Sequence, residues 1–308
     1  MIDILMAVYN GEKYLEEQLE SIINQSFSKW QLIIHDDGSK DSSLAIIQKY
    51  EKKYPEKIKA IYDDMKFGSS KDNFVHLMKY SKADYVMFAD QDDVWEKDKV
   101  KHSYMTIRKL ETKMPAGLPI LVHGDLEVVN EHLETVSASL FQMQKLDYKK
   151  SKFKDYLVQN NVTGCTIIIN KILKELCCDM PKEAIMHDWW LALTASAFGC
   201  VYGINKSDIK YRQHENNVEG AKNLHSPVYL AKKVCNKKEI KETLWRTYSQ
   251  AEAFFYMYKK KLDNNTKKML LAYISLNKGT KLYKYKIILK YGFMKSGFIR
   301  KLGYLLYI

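Results

Sequence analysis

Residues 85–95 read YVMFADQDDVW, and this stretch decides the fold. The apolar run Tyr85–Ala89 predicts a buried strand, and the carboxylates of Asp90, Asp92 and Asp93 follow it directly. Carboxylates this close repel one another unless a cation or hydrogen-bond donors lie among them, and Mg²⁺ and Mn²⁺ prefer oxygen ligands. We therefore predict a strand that ends at a divalent-cation site, with a solvated acidic turn that caps the next helix as the alternative.

The chain alternates between apolar runs and helical patterns around this stretch. The predicted strands are Ile2–Val8, Leu32–His35, Ile58–Tyr62 and Tyr85–Ala89, and the predicted helices are Glu12–Gln25, Asp41–Tyr54 and Asn73–Tyr80. This order is typical of an α/β fold whose parallel strands are joined by right-handed crossovers. Ligands of such sheets bind beyond the carboxyl ends of the strands. Tyr9-Asn10, Asp36-Asp37 and Asp90–Asp93 should therefore converge in one crevice.

The pattern is weaker in the later part of the chain. Ile120–His123, Thr166–Ile169 and Val201–Ile204 predict further strands, and Asp188–Ala197 predicts a helix. From about Glu239 the pattern is helical and rich in lysine and aromatic residues. We place a boundary near residue 220, which gives an α/β domain over residues 1–220 and a basic helical region over residues 221–308.

Composition and charge narrow the classes of function. Of the residues, 46% are hydrophobic and 28% are charged, which is typical of a globular protein and excludes a disordered or collagenous chain. The formal net charge of +12 is uneven, because residues 222–308 carry 20 basic and 4 acidic groups. No nucleic acid partner is expected, since the acidic crevice would repel phosphates and no helix-turn-helix, RRM or finger pattern is present.

Cysteine usage and hydropathy predict a location for the protein. The five cysteines lack the spacing of a disulfide framework or a metal site, which favours reduced thiols in the cytosol. The first strand starts almost at once, and no apolar run approaches the roughly 18 residues of a spanning helix. We expect a cytoplasmic protein that is soluble or peripheral on the inner face of the cell membrane.

The C-terminal segment combines an apolar helical face with positive charge. Apolar side chains recur at steps of three and four at Ile287, Tyr291, Met294, Phe298, Leu302 and Leu305. Basic residues surround them, and Gly292, Gly297 and Gly303 predict a broken helix. This pattern favours binding to an anionic membrane surface. The alternative is a set of helices that pack on the first domain, and the exposed aromatic residues are equally compatible with a homodimer.

Three motifs, in this order, give the chain a family resemblance. ILMAVYNGEKYLEEQLESIINQSF (residues 4–27), IIHDDGSKDSS (33–43) and YVMFADQDDVWEKDKV (85–100) resemble the nucleotide-sugar-binding half of the inverting glycosyltransferases of family two. The resemblance covers roughly residues 1–215 and implies the GT-A fold, a Rossmann-like nucleotide-sugar-binding domain. It also implies an activated sugar donor, a divalent Mn²⁺ or Mg²⁺ ion and transfer by a single displacement.

The resemblance implies roles for residues of the crevice. By position, Tyr9 and Asp37 match the residues that bind the nucleotide base, Asp90 matches the ribose or diphosphate contact, and Asp92 matches the metal ligand. The residue types agree, because a carboxylate accepts the ring N–H of a pyrimidine and a tyrosine stacks on its ring. Inverting transfer also needs a base that deprotonates the acceptor hydroxyl, and the family match is Asp188 in HDWW (187–190).

Residues near this base are predicted to contact the acceptor. Trp189 and Trp190 suit a sugar, because sugar C–H groups stack on aromatic rings. Thr163 and Gly164 belong to a loop that would lie beside the acceptor. The alternatives are that Asp188 caps a helix whose tryptophans are core residues, and that Gly164 serves a tight strand entry.

The stretch YRQHENN (residues 211–217) follows the next predicted strand. Arg212 is predicted to bind the donor diphosphate by neutralising its charge. His214 resembles the late metal-binding histidine of many GT-A enzymes, and a surface histidine is the alternative. The chain lacks the QxxRW motif of processive family members, so we expect the transfer of one sugar per encounter.

The segments ADQDDVW, VTGC and YRQHENN together resemble the rhamnosyltransferase branch of bacterial polysaccharide assembly. This resemblance implies a dTDP-β-L-rhamnose donor and a lipid-linked saccharide acceptor in the synthesis of cell-wall or surface polysaccharide. A UDP-hexose or UDP-N-acetylhexosamine transferase is one alternative. A non-catalytic sugar-nucleotide-binding subunit is another, although such a subunit would not need Asp37, Asp92 and Asp188 together.

Overall fold

A computed structural model describes residues 1–214 and 237–308. Within these residues a mixed nine-stranded sheet has the strand order β3-β2-β1-β4-β8-β6-β9-β5, with β7 paired to β6. The strands are β1 (Ile2–Val8), β2 (Trp30–Asp36), β3 (Ile58–Ile61), β4 (Tyr85–Ala89), β5 (Val94–Trp95), β6 (Ile120–Val129), β7 (Thr135–Ser137), β8 (Ile168–Asn170) and β9 (Cys200–Arg212).

The first half of the sheet is parallel, as the sequence predicts. Strand β1 pairs in parallel with β2 and β4, and β2 pairs in parallel with β3. The connecting helices are α1 (Leu15–Ile23), α2 (Ser43–Lys53) and α3 (Ser70–Tyr80). Val8 is opposite Asp36 and Met6 is opposite Ala89, so the residues that follow β1, β2 and β4 emerge at one edge of the sheet.

The second half of the sheet departs from the parallel pattern. Strand β8 lies antiparallel between β4 and β6, and β9 is parallel to β6 but antiparallel to β5. Strand β9 runs to Arg212, far beyond the predicted Val201–Ile204, because polar residues in its middle hide the strand in the sequence. Val94 pairs with Lys210, so the end of β9 lies beside the acidic turn that follows β4.

The remaining helices surround this sheet. They are α4 (Lys99–Glu111), α5 (Leu140–Met143), α6 (Phe153–Val158), α7 (Lys171–Cys177), α8 (His187–Phe198), α9 (Lys237–Tyr258), α10 (Asn264–Ser275), α11 (Lys281–Tyr291) and α12 (Phe298–Tyr307). Helix α8 is apolar around most of its circumference, and all of its residues from Trp190 to Ala195 are buried. It therefore lies in the middle of the core, with other elements packed on several sides.

The C-terminal helices share the core of the α/β part. The rings of Phe254 and Tyr258 lie 5.4 and 6.2 Å from the ring of Trp190, and Leu173 of α7 belongs to the same apolar cluster. The packing of helices on the first domain is therefore present among the described residues. The predicted boundary near residue 220 lies outside them.

The C-terminal helix is broken, as its glycines predict. Gly292 (φ +70°) ends α11 and Gly297 (φ +79°) precedes α12, while Gly303 lies within α12. The predicted apolar face is consequently divided between two environments. Phe298 and Leu302 are exposed, whereas the other members pack against the core, namely Ile287, Tyr291, Met294 and Leu305.

Two further predictions concern cysteines and hydropathy. The four cysteines among the described residues, Cys165, Cys177, Cys178 and Cys200, are free thiols, and Cys235 lies outside those residues. Over the described ranges, we find no helix with the length and apolar character needed to cross a membrane.

Because the core is continuous, a cavity in α9 should destabilise the whole chain. Phe254→Ala removes a fully buried ring and should lower the free energy of unfolding by about 3–5 kcal/mol. Tyr256→Ala, on the same helix but 69% exposed, is the matched control and should change it by less than about 0.5 kcal/mol. Urea denaturation followed by tryptophan fluorescence measures both, and an unchanged midpoint for Phe254→Ala would contradict the shared core.

Candidate active site

A cleft with a volume of about 2540 Å³ opens at the carboxyl ends of β1, β2 and β4. Most of the residues predicted from the sequence line it, namely Tyr9, Asp37, Asp90, Asp92, Thr163, Gly164, Asp188, Trp189 and His214. Asp92 and Asp188, which are 96 residues apart in the chain, thus face one cavity. Trp190 and Arg212 are not among the lining residues.

The backbone of Tyr9 is held by the side chain of Gln91. The Tyr9 N–H donates to Gln91 Oε1 at 2.7 Å, and Gln91 Nε2 donates to the Tyr9 carbonyl at 2.9 Å. The Tyr9 side chain itself is 52% exposed, so its ring is accessible in the cleft. Gln91 was not predicted as a site residue from the sequence. Its position between Asp90 and Asp92, in the turn after β4, is the feature that could have indicated it.

The carboxylate of Asp37 is buried and holds a neighbouring loop. Its Oδ1 accepts from the Phe67 N–H at 2.5 Å and its Oδ2 accepts from the Gly68 N–H at 2.8 Å. Each carboxylate oxygen has a second lone pair, so Asp37 keeps acceptor capacity for a ligand N–H. The adjacent Asp36 is used within its own turn, where it accepts from Ser39 N at 2.9 Å.

Asp92 and His214 meet across the end of the sheet. His214 Nε2 lies 2.7 Å from Asp92 Oδ2, and both side chains are largely buried, with 13% and 14% of their surface exposed. The His214 ring also lies 5.0 Å from the ring of Tyr14 of the β1–α1 connection. These contacts bring together an oxygen and a nitrogen ligand that are 122 residues apart.

The prediction that Arg212 binds the donor diphosphate is wrong in this structure. Arg212 is 2% exposed and is not a lining residue of the cleft, and its guanidinium binds protein groups. It donates to the Asp92 carbonyl at 2.9 Å and to the Glu131 carbonyl at 2.6 Å, and it pairs with the Glu17 carboxylate. Arg212 is therefore a positioning residue that fixes the backbone of the acidic turn.

Asp90 lines the cleft, and Asp93 and Cys165 are buried beside it. Burial and the neighbouring Asp92 raise the pKa of Asp90 to about 7, and the same causes, with Asp90, raise the pKa of Asp93 well above its ordinary value. Asp93 Oδ2 is buried and has no hydrogen-bond partner among the described residues, and burial and the nearby Asp93 raise the pKa of the Cys165 thiol well above its usual range. Burial thus favours the protonated form of each of these groups, and a protonated thiol is not a ligand for Mg²⁺ or Mn²⁺.

Asp92 and His214 fit a divalent ion. Adjacent ligands of an octahedral ion at about 2.1 Å are about 3 Å apart, and the observed separation of 2.7 Å is close to this distance. The raised pKa values of Asp90 and Asp93 have burial as their main cause and the neighbouring carboxylates as their second cause. A cation bound beside these groups would favour their ionised forms.

Asp188 lies at the start of α8, where the helix dipole favours a negative charge. Its Oδ1 accepts from the Trp189 N–H at 2.5 Å, and the residue is 9% exposed at the cleft wall. Behind it, His187 packs 4.4 Å from the Phe74 ring, and burial lowers the pKa of His187 to about 3, so this histidine is neutral. A Cβ on Gly164 would lie 2.8 Å from His187 Nε2, so a glycine there permits the close approach.

The two tryptophans of HDWW occupy different environments. Trp189 lines the cleft and donates from Nε1 to the Tyr156 carbonyl at 2.6 Å. Trp190 is fully buried, with its ring 5.4 Å from that of Phe254. Its predicted contact with an acceptor sugar is therefore wrong, because the ring is enclosed in the core.

Helices α9 and α12 complete the cleft at the end away from the sheet. The lining residues here are Thr243 and Arg246 of α9, Lys295 before α12, and Phe298 and Arg300 of α12. This wall could not be predicted from the sequence, because its residues come from helices that only the tertiary fold places beside Asp188.

The chain belongs to glycosyltransferase family 2. The family described as Glycosyl transferase family 2 matches residues 3–177. The protein is 32% identical over 231 residues to the dTDP-rhamnosyl transferase RfbG of Shigella flexneri, covering 70% of this chain and 74% of RfbG. The match to WfgD of Escherichia coli, a UDP-Glc:alpha-D-GlcNAc-diphosphoundecaprenol beta-1,3-glucosyltransferase, is 22% over 174 residues and covers 56% of this chain and 61% of WfgD.

The fold is also that of a solved structure. TarS residues 1–349 from S. aureus, crystallised in complex with UDP-GlcNAc, superpose with a TM-score of 0.56 at 16% sequence identity, covering 99% of this chain and 90% of that one. The chain spans 43% of a longer crystallised form of TarS. The likeness confirms the predicted α/β GT-A fold with C-terminal helices.

Replacing the guanidinium of Arg212 should loosen the acidic turn. Arg212→Lys keeps the charge but loses the planar set of donors, and we expect it to lower the free energy of unfolding by about 2 kcal/mol. Lys210→Arg, two residues away in the same strand and in a long, exposed pair with Glu96, is the control and should change it by less than about 0.5 kcal/mol. Urea denaturation measures both, and equal stability of Arg212→Lys and the wild type would contradict a positioning role.

Proposed function

We propose that the protein is an inverting glycosyltransferase that moves L-rhamnose from dTDP-β-L-rhamnose to a lipid-linked saccharide acceptor during the synthesis of cell-surface polysaccharide. The observation that carries this proposal is the cleft that Tyr9, Asp37, Asp92 and Asp188 share. The rhamnosyl donor is supported by the similarity to RfbG over 70% of the chain. The lipid-linked acceptor is supported by the name of WfgD, whose acceptor is a diphosphoundecaprenol.

The donor would bind along the edge of the parallel half of the sheet. The exposed ring of Tyr9 would stack on the thymine, and the free lone pairs of Asp37 would accept its ring N–H. Asp90 would contact the ribose or the diphosphate. Asp92 and His214 would hold a Mn²⁺ or Mg²⁺ ion, which when bound stabilises the negative charge of the leaving diphosphate.

Asp188 would act as the base on the opposite side of the donor sugar. The acceptor hydroxyl gives its proton to the Asp188 carboxylate while its oxygen bonds to the anomeric carbon and the bond from that carbon to the diphosphate oxygen breaks. Attack from the face opposite the leaving group inverts the anomeric configuration. Trp189, Thr163 and Gly164 at the same wall would contact the acceptor sugar.

The acceptor would enter between α9 and α12. Arg246, Lys295 and Arg300 supply positive charge to this part of the cleft, and the Phe298 ring beside them is 79% exposed. An apolar and basic entrance suits a lipid diphosphate, whose phosphates seek cations and whose chain seeks an apolar surface.

We propose that α12 brings this entrance to the inner face of the membrane. Phe298, Leu302 and Leu306 lie at steps of four on one helical face and are 79%, 50% and 48% exposed. Residues 222–308 carry 20 basic and 4 acidic groups, and Lys301 is one of the basic residues of α12. This positive charge would attract anionic lipids, and each basic residue near the surface adds about 1 kcal/mol of binding free energy.

The base assignment is tested with Asp188→Asn. Because the amide cannot accept the proton, turnover of dTDP-rhamnose should fall by at least about 100-fold. The affinity for the donor in the presence of Mn²⁺, measured by thermal shift, should stay within about threefold of the wild type. Asp179→Asn, at a side chain that is 87% exposed, is the control and should keep full turnover.

Several outcomes would contradict the proposal. Normal turnover by Asp188→Asn would remove this residue from the base role. A larger thermal shift with UDP-glucose or UDP-N-acetylglucosamine than with dTDP-rhamnose would favour the UDP-sugar transferase. A wild-type protein that binds donors but neither transfers nor slowly hydrolyses any of them would be a non-catalytic binding subunit.

The membrane role is tested with Leu302→Ser/Leu306→Ser. A leucine side chain that moves fully from water into the bilayer contributes about 1.5–3 kcal/mol. Both side chains are about half exposed in the protein, so their loss should weaken binding to vesicles that contain phosphatidylglycerol by at least about tenfold. Leu44→Ser/Met105→Ser, at exposed positions of α2 and α4, is the matched control. Sedimentation with vesicles measures both, and unchanged binding, or a loss of dimerisation in place of vesicle binding, would contradict the membrane role.

A further inference from the structure

A second cluster of ligand-type side chains lies outside the cleft. His35 of β2, Asp63 after β3 and His76 of α3 each place one ligand atom within 4.8 Å of the others. His35 Nε2 lies 3.1 Å from Asp63 Oδ1, and His76 Nε2 lies 2.8 Å from Asp63 Oδ2. None of the three is a lining residue of the cleft, so the site described above does not account for them.

The hydrogen bonds of His35 fix the direction of its ring. Its Nδ1 lies 2.9 Å from Asn73 Oδ1, and Asn73 Nδ2 donates to the His35 carbonyl at 3.4 Å, which fixes the orientation of the amide. Nδ1 therefore carries the hydrogen that Asn73 Oδ1 accepts, and Nε2 is directed at the Asp63 carboxylate, 3.1 Å away. Because His35 is 1% exposed, protein groups hold its ring in this orientation.

We propose that His35, Asp63 and His76 form a binding site for Zn²⁺. Two imidazole nitrogens and a carboxylate oxygen are common zinc ligands, whereas Mg²⁺ prefers oxygen ligands throughout. Ligands at about 2.0–2.1 Å in a tetrahedron are about 3.4 Å apart, and the two observed histidine–aspartate separations of 3.1 and 2.8 Å are within a few tenths of an ångström of this distance. A water completes the fourth position.

The surroundings of the cluster are those of a metal site. The hydrogen bond from His35 Nδ1 to Asn73 is the outer contact by which proteins orient a ligating histidine. The Phe67 ring lies 5.0 Å from the His76 ring, and Tyr80 Oη lies 3.2 Å from Asp63 Oδ2. The two aromatic groups therefore contact the histidine and the carboxylate from α3 and from the segment after β3.

The ion would stiffen the wall that holds the nucleotide base. Asp63 starts the segment that leads to Phe67 and Gly68, and the N–H groups of both bind the Asp37 carboxylate. Zinc would thus join β2, α3 and this segment. This consequence rests on the proposed function, because it assumes that Asp37 binds the base, whereas the zinc site itself does not.

Metal binding is measured on the full-length protein without donor or acceptor. After chelation and dialysis against Zn²⁺, we expect about one Zn²⁺ per chain that excess Mg²⁺ does not displace, and Co²⁺ in its place should give visible d–d bands. His76→Gln keeps a hydrogen-bonding group at a partly exposed position, so it should fold, and it should weaken Zn²⁺ binding by at least about 100-fold. Donor affinity should fall in parallel.

Two controls separate this site from others. His102→Gln alters another histidine–aspartate pair, in which Nδ1 lies 3.1 Å from Asp208, and should leave Zn²⁺ binding unchanged. Asp92→Ala removes the proposed ligand in the cleft and should also leave it unchanged. Three results would overturn the proposal, whatever the result of the transfer assays. They are loss of Zn²⁺ binding in Asp92→Ala, unchanged Zn²⁺ binding in His76→Gln, and a wild-type protein that binds neither Zn²⁺ nor Co²⁺.

Discussion

The buried guanidinium of Arg212 holds together the parts of the molecule from which the site is made. It comes from the end of β9 and reaches Glu17 of α1, the Glu131 carbonyl after β6 and the Asp92 carbonyl after β4. Its carbon also lies 4.4 Å from the centre of the Tyr14 ring. An enclosed cation must be matched by acceptors on every side. The acidic turn, α1 and the β6–β7 connection are therefore constrained to one relative position, two residues before His214.

The contacts of Arg212 also affect the electrostatics of the acidic turn after β4. The turn after β4 gathers Asp90, Asp92 and Asp93, and their mutual repulsion and burial would drive the turn apart without rigid support. Arg212 binds the backbone of the turn with its guanidinium and leaves the side chains of Asp90 and Asp92 at the cleft. The carboxylate oxygens of these two residues are thus available to a ligand rather than paired with the guanidinium.

The sequence predicts the parallel half of the sheet well, because its strands are buried on both faces. Strands β1 and β4 have the predicted bounds, and the polar residues after them meet in one cleft. Strand β9 was predicted too short, because a strand with polar residues in its middle has no apolar run. Arg212 was assigned to the donor, because a cation near an acidic motif has the same pattern whether it faces a ligand or the backbone. Trp189 and Trp190 differ by about 100° around a helix, and only the packing of α9 decides which of them is enclosed.

The C-terminal helices contribute both to the core and to the wall of the cleft. Phe254 and Tyr258 fill the core beside Trp190 of α8, and Asp188 lies in the first turn of the same helix. The position of this carboxylate therefore depends on residues from the far end of the chain. The same helix α9 presents Arg246 to the cleft. A substitution in this region that changes the wall of the cleft therefore also acts on the core behind α8. For this reason the exposed face of α12, which carries Leu302 and Leu306 away from that core, is the part of the region that can vary without displacing Asp188.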